Sequence, residues 1–130
     1  MSDRLKILYV DDEADIRTIV ELALGMDPDM TVVIADSGSE ALDKLGKGGW
    51  IPDIALIDVM MPNMTGMELL QAMRQRADTA DIPVLFVTAS ARSPEQQRYL
   101  DAGAIGVISK PFDAITLARL VRQHYEGWRG

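Results

Sequence analysis

Five short apolar runs, each followed by a stretch of polar and helix-spaced residues, constrain this chain more than any other feature. They lie at residues 5–10, 31–35, 54–58, 83–88 and 105–109. Within most of them apolar residues stand at consecutive positions, as in Ile7-Leu8-Tyr9-Val10 and Ile54-Ala55-Leu56-Ile57. Strands of that kind are dry on both faces, which points to a parallel sheet. Strand and helix alternate throughout. That order implies βαβ units with right-handed crossovers and helices on both faces of the sheet.

The intervening segments carry their own signals. Ile16, Ile19, Val20, Ala23 and Leu24 form one apolar stripe at helical spacing. Ser37-Gly38-Ser39-Glu40 reads as a capping box opening a short helix through Leu45. Leu69, Leu70 and Met73 mark a third helix. A fourth is expected over 94–102, ending at Asp101-Ala102-Gly103 with Gly103 as its cap. Its buried stripe is thin, little more than Tyr99, Leu100 and Ala102, so it should be among the less stable elements. Ala114, Leu117, Ala118, Val121 and Tyr125 predict a last helix that stops near Tyr125.

A chain of 130 residues is expected to form one domain over 1–130, with a core at about 5–125 and no output domain. No repeat, low-complexity tract or linker interrupts it. The net charge of −7 disfavours direct binding to nucleic acid or to an anionic membrane. With no cysteine, neither a disulfide framework nor a thiolate metal site is available. Met1 to Lys6 lacks the apolar stretch of a signal peptide. No apolar run approaches the roughly 20 residues that span a bilayer. A cytoplasmic protein, monomeric or weakly dimeric, is therefore expected.

The chemistry-bearing residues sit at strand ends. Asp11-Asp12 follows the first apolar run and Asp58 closes the third. Open α/β sheets build their sites at these C-terminal ends. Three clustered carboxylates repel one another unless a cation lies between them. Hard oxygen ligands in that number suit Mg²⁺, which keeps waters and leaves room for a phosphate oxygen. Thr88-Ala89 closes the fourth run, and Lys110-Pro111-Phe112 follows the fifth. Taken singly, these residues have bland readings too. Asp12 could cap the first helix, and an isolated lysine usually lies at the surface. The chain has no Gly-rich phosphate loop, so it is no P-loop ATPase.

Taken together, Asp-Asp, Asp-x-x-Met-Pro-x-x-x-Gly from Asp58 to Gly66, Thr-Ala and Lys-Pro-Phe resemble the receiver domain of bacterial two-component response regulators. The resemblance runs from about Leu5 to Tyr125. It implies a flavodoxin-like, doubly wound sheet of five parallel strands in the order 2-1-3-4-5, with five helices. It implies that Asp58 accepts a phosphoryl group from a histidine kinase or histidine phosphotransfer protein. Asp12, Asp58 and the Met60 backbone carbonyl would ligate Mg²⁺ directly, and Asp11 through water. Lys110 and Thr88 would contact the phosphoryl oxygens. Ala89, Val107 and Pro111 would be switch and turn positions, with a cis Lys110–Pro111 peptide. Such a domain is a switch, not an enzyme beyond its own phosphorylation and dephosphorylation. Its unknown target would bind the face built from helix 4, strand 5 and helix 5, with Arg92, Arg98, Tyr99, Val107, Arg119 and Arg122 expected on or near it.

Two departures from the family pattern stand out. Val107 occupies a position that usually carries an aromatic ring, so the expected signal route runs through the 89–94 loop and the fourth helix. Met60 and Ser90 flank the site without a water-orienting acid or amide, which predicts slow to moderate loss of the phosphoryl group. Gly66 is expected to serve backbone geometry after the Pro62 turn. Met60, Met61, Met64 and Met67 read as loop and core filler. His124 reads as a surface residue remote from the site. A haloacid-dehalogenase-type phosphatase would need a second acid where Met60 stands. A phosphorylation-independent interaction module would not need the full acidic set.

Overall fold

The computed structural model describes residues 4–89 and 92–130. The elements are β1 (Leu5–Val10), α1 (Ala14–Gly25), β2 (Met30–Ala35), α2 (Gly38–Lys44), β3 (Ile54–Asp58), α3 (Gly66–Arg74), β4 (Val84–Thr88), α4 (Ser93–Asp101), β5 (Gly106–Ser109) and α5 (Leu117–Arg129). All strands are parallel, in the order β2-β1-β3-β4-β5. This is the architecture the resemblance implies, and each strand starts within one residue of its expected position. The central strands β3 and β4 are buried at every residue, whereas the edge strand β2 is half-exposed along its middle. Burial on both faces is why the central strands lack polar alternation.

Two apolar layers flank the sheet. On one face Ile7, Tyr9, Leu56, Leu85 and Val87 pack with Val20 and Leu24 of α1 and Leu117 and Val121 of α5. On the other, Leu8, Val10, Ile57 and Phe86 pack with Ala41 of α2, Leu69, Leu70 and Met73 of α3 and Tyr99 of α4. Tyr99 is the buried anchor of α4, edge-on to Phe86 with ring centroids 5.4 Å apart. Leu100 is partly exposed. The thin stripe expected for α4 is therefore what packs it down.

Helix starts follow their capping chemistry. Ser37 Oγ accepts the Glu40 N–H at 3.1 Å, and Glu40 Oε1 accepts the Asp36 N–H at 2.7 Å. Glu40 thus reaches one residue beyond the Ser37 cap, whereas a reciprocal capping box opens α3, in which Thr65 and Glu68 each accept the other's backbone N–H. Its Thr-x-x-Glu spacing was readable in the sequence. Gly103, at φ 114°, follows α4 and donates its N–H to the Leu100 carbonyl.

Two expectations need correction. The last helix does not stop near Tyr125 but runs to Arg129. Tyr125 meets Trp128 one turn on, at 5.9 Å between ring centroids, and this contact carries the helix past the end of its apolar stripe. His124 is half-buried and not a free surface residue. Its ring covers Gly106 so closely that a Cβ there would stand 2.5 Å from Nδ1. Burial lowers its pKa. Gly106 opens β5 at the sheet end opposite the acidic cluster, so His124 is remote from that cluster as expected.

A groove of about 580 Å³ opens between α1 and the approach to α5. Ile19, Leu22, Met26 and Ile115 line it with large exposed side chains. No helix among the described residues is long and apolar enough to cross a membrane.

Candidate functional site

After β1 the chain passes to α1 on one face, and after β3 it passes to α3 on the other. The C-terminal ends of β1 and β3 therefore border the crevice where the winding reverses. Asp11 directly follows β1, with its N–H donated to the Ala35 carbonyl, and Asp58 is the last residue of β3. Carboxylate oxygens of Asp11, Asp12 and Asp58 all lie within 4.8 Å of one another. Asp11 is 0 % exposed and Asp58 4 %, whereas Asp12 faces solvent. The N-cap of α1 is Glu13, whose side chain makes no capping hydrogen bond. Asp12 therefore does not cap α1, and its carboxylate remains with the other two.

The loop after β5 supplies the cation. Lys110 Nζ lies 3.0 Å from Asp11 Oδ2, 3.4 Å from Asp58 Oδ2 and 3.8 Å from Glu13 Oε1. Its own N–H is donated to the Thr88 carbonyl at 2.8 Å, which ties the ends of β4 and β5 together. The Lys110–Pro111 peptide is cis, as the resemblance implies. Thr88 is buried beside this end of the sheet, and Ala89, just beyond it, is exposed. Ser90 lies outside the described residues, as does part of the 89–94 loop.

The charges act on one another. Burial, and then the negative charge of Asp11, push the Asp58 carboxyl up to about 6, against the opposing pull of Lys110 and the Met60 N–H. Burial works against the Lys110 ammonium. The hydrogen bond to Asp11 and the charges of Asp11 and Asp58 outweigh it and hold the lysine above its ordinary range. An excess of carboxylate over cation in a poorly hydrated crevice is what a hard divalent cation would relieve. The donor set therefore fits Mg²⁺.

Gly66 has a sharper role than turn flexibility. Its N–H is donated to the Val59 carbonyl at 2.9 Å, which brings the start of α3 down onto the end of β3. A Cβ on Gly66 would stand 2.5 Å from the Asp58 carbonyl oxygen. The positive φ in this turn belongs to Asn63, at 70°. Met61 is buried and Met64 and Met67 are half-buried, but Met60 is 75 % exposed beside Asp58. Val107 pairs with Phe86 in register and is half-buried in the layer that holds Tyr99.

Of the residues expected on or near the α4–β5–α5 face, Tyr99 points inward and Arg122 turns away. Tyr99 is buried under α4, with the Arg98 guanidinium 5.3 Å from its ring centroid. Arg122 turns to the opposite flank and grips Asp27 beyond the end of α1 at 3.0 Å. A carboxylate within reach on the α1 side decides its direction. Arg92, Arg98 and Arg119 are exposed.

One residue at the site was missed from sequence. The Tyr9 hydroxyl donates to Asp11 Oδ2 at 2.8 Å from a fully buried ring. Burial, and then Asp11, raise the phenol above its ordinary range, so it remains a neutral donor. The signal was present, because residues two apart on an extended chain share a face.

Fold and acidic crevice together define a CheY-like α/β signalling domain. The model of the response regulator receiver domain matches residues 7–122, and the chain belongs to that family. The chain is 33 % identical over 122 residues to response regulator Rre1 of Synechocystis sp., covering 94 % of this chain and 52 % of the relative. It thus spans about half the length of that protein. A 14.6 kDa protein of Leptolyngbya boryana is 34 % identical, with 93 % of this chain and 90 % of the relative covered. The solved chemotaxis response regulator CheY4 of Vibrio cholerae matches with a TM-score of 0.82 and 33 % identity, over 93 % of this chain and 98 % of that one. Receiver domains take phosphoryl groups from histidine kinases or phosphotransfer proteins and bind Mg²⁺ at an acidic cluster. They are switches, not classical enzymes, and this chain carries the acidic cluster.

Proposed function

We propose that this chain is a response-regulator switch whose Asp58 accepts a phosphoryl group in a Mg²⁺-dependent transfer. The observation that carries this reading is the buried Asp58 carboxylate, 3.4 Å from Lys110 and within 4.8 Å of Asp11 and Asp12 oxygens. With its pKa raised to about 6, Asp58 is largely ionised at neutral pH and can act as a nucleophile. Its oxygen forms a bond to phosphorus as the P–N bond to the donor histidine breaks, and the donor ring, already protonated on its other nitrogen, leaves as neutral imidazole. Lys110 and the Thr88 hydroxyl would stabilise charge on the phosphoryl oxygens. Asp12, Asp58 and the Met60 carbonyl would hold Mg²⁺ directly, and Asp11 through water. When bound, the metal supplies positive charge that offsets the phosphoryl oxygens.

Incubation with acetyl phosphate and Mg²⁺, followed by intact mass measurement, tests this. A single Mg²⁺-dependent phosphoryl adduct is expected, lost in Asp58→Ala. No adduct on folded protein would refute the reading.

The phosphoryl group would bias a two-state equilibrium and change affinity for a partner at the α4–β5–α5 face. Because Val107 has no ring to rotate, the change would pass from Thr88 through the 89–94 loop into α4. For the phosphodonor, the exposed apolar side chains favour docking at α1. Leu22 is 66 % exposed and Ile115 92 %, on the α1 side and not on the arginine-bearing face. Contiguous apolar exposure marks contact surfaces. Leu22→Glu is therefore expected to slow transfer from a histidine phosphotransfer protein by roughly tenfold while leaving acetyl phosphate labelling unchanged. Equal loss with both donors would place the defect at the site instead.

A further inference from the structure

We propose that Tyr9 is a positioning residue for the metal centre, holding an oxygen of Asp11 away from direct metal ligation and thereby weakening divalent-cation binding. The inference rests on the reading of Asp11, Asp12 and Asp58 as the metal site. It begins with the hydrogen bonds of one carboxylate. Asp11 Oδ1 accepts the Glu13 N–H at 3.0 Å. Asp11 Oδ2 accepts both the Tyr9 hydroxyl at 2.8 Å and Lys110 Nζ at 3.0 Å. A carboxylate oxygen offers about two lone-pair directions, so Oδ2 is fully used.

The two donors on Oδ2 differ in freedom. Lys110 is on a flexible stem and also reaches Asp58. It can turn away when a new anion arrives. Tyr9 cannot, because its ring is fully buried in the layer shared by α1, α5 and the sheet. Its hydroxyl is delivered to Asp11 by the strand that carries both residues. The backbone also restrains this aspartate, since Arg17 Nη1 donates to the Asp11 carbonyl at 2.7 Å. Asp11 is therefore held as a partly neutralised carboxylate, with Oδ2 filled and one lone-pair direction left on Oδ1, beside the two carboxylates left to bind metal. Such an arrangement favours contact with the ion through water.

Removing the hydroxyl returns one lone-pair direction to a buried anion, where attraction to a cation is little screened. Tyr9→Phe is therefore expected to bind Mn²⁺ roughly fivefold more tightly than the parent, about the effect of one hydrogen bond. The titration would follow free Mn²⁺ by electron paramagnetic resonance, with Mg²⁺ competition to confirm the order. Tyr9→Leu, which also lacks the hydroxyl, should tighten binding in the same direction. In an Asp11→Asn background the Tyr9→Phe effect should vanish, because the coupling runs through that carboxylate. Unchanged or weaker binding by Tyr9→Phe would overturn the proposal. So would tightening that persists with Asn at position 11, since the tyrosine would then act through packing. A parent protein that binds no Mn²⁺ would overturn the metal-centre reading and this inference with it.

Discussion

Asp58→Asn is expected to stabilise the metal-free protein by about 1–3 kcal/mol near neutral pH. The carboxyl of Asp58 lies near 6 in the folded chain against 3.8 for an unperturbed aspartate. Below about pH 4 both folded and unfolded chains hold this proton, and the site is neutral with respect to stability. Between about 4 and 6 the folded chain keeps a proton that the unfolded chain has released, so stability falls as pH rises. Above about 6 the full penalty is present. Two pKa units correspond to ~3 kcal/mol, and partial hydration of the crevice lowers the figure. Asparagine cannot ionise, so its unfolding curve should lose this decline. Urea unfolding in the presence of a chelator, across pH 4.5 to 7.5, would show it. Parallel pH profiles for the two proteins would mean that Asp58 carries no such strain. Mg²⁺ should close much of the gap, because an ion that binds the folded parent stabilises it by mass action.

Gly66→Val should be more damaging than most core truncations. A Cβ at this position would stand 2.5 Å from the Asp58 carbonyl oxygen and 2.9 Å from the Val59 Cα. Both are backbone atoms of the β3 terminus, and neither can move without carrying Asp58 along. Overpacking costs typically 1–3 kcal/mol where side chains can adjust. With backbone as the obstacle the loss should exceed about 3 kcal/mol, with a smaller loss for alanine. Gly25 provides the control, since nothing lies within 4 Å of its hypothetical Cβ. Gly25→Ala should change stability by less than about 1 kcal/mol. Denaturant midpoints measured side by side would decide the matter. A Gly66→Val protein as stable as the parent would mean that α3 is not clamped to the strand end.

The element pattern was legible for a simple reason. A strand dry on both faces must be apolar at successive positions, and a helix with one dry face must be apolar at helical spacing. Each requirement is local. The starts of the strands, the Ser37 cap and the C-terminal position of Gly103 all follow from short stretches of chain. Asp11, Asp12 and Asp58 were legible as a group because the ends of buried parallel strands are where such sheets present polar side chains. Tyr125 and Trp128 show the limit of periodicity. The apolar stripe of α5 fades at Tyr125, but a contact one turn further on extends the helix to Arg129.

Partners brought together from distant parts of the chain are another matter. Lys110 and Asp11 stand 99 residues apart, and Arg122 and Asp27 stand 95 apart. Nothing local distinguishes Lys110 from other lysines or tells Arg122 to turn away from α4; the family resemblance alone had suggested a role for the former. Gly106 looks like any glycine until α5 lays His124 over it. Local sequence records which faces of each element avoid water. The choice of charged partner depends on strand order and helix placement, because ion pairs are decided by distances of a few ångströms that exist only after the sheet has been assembled.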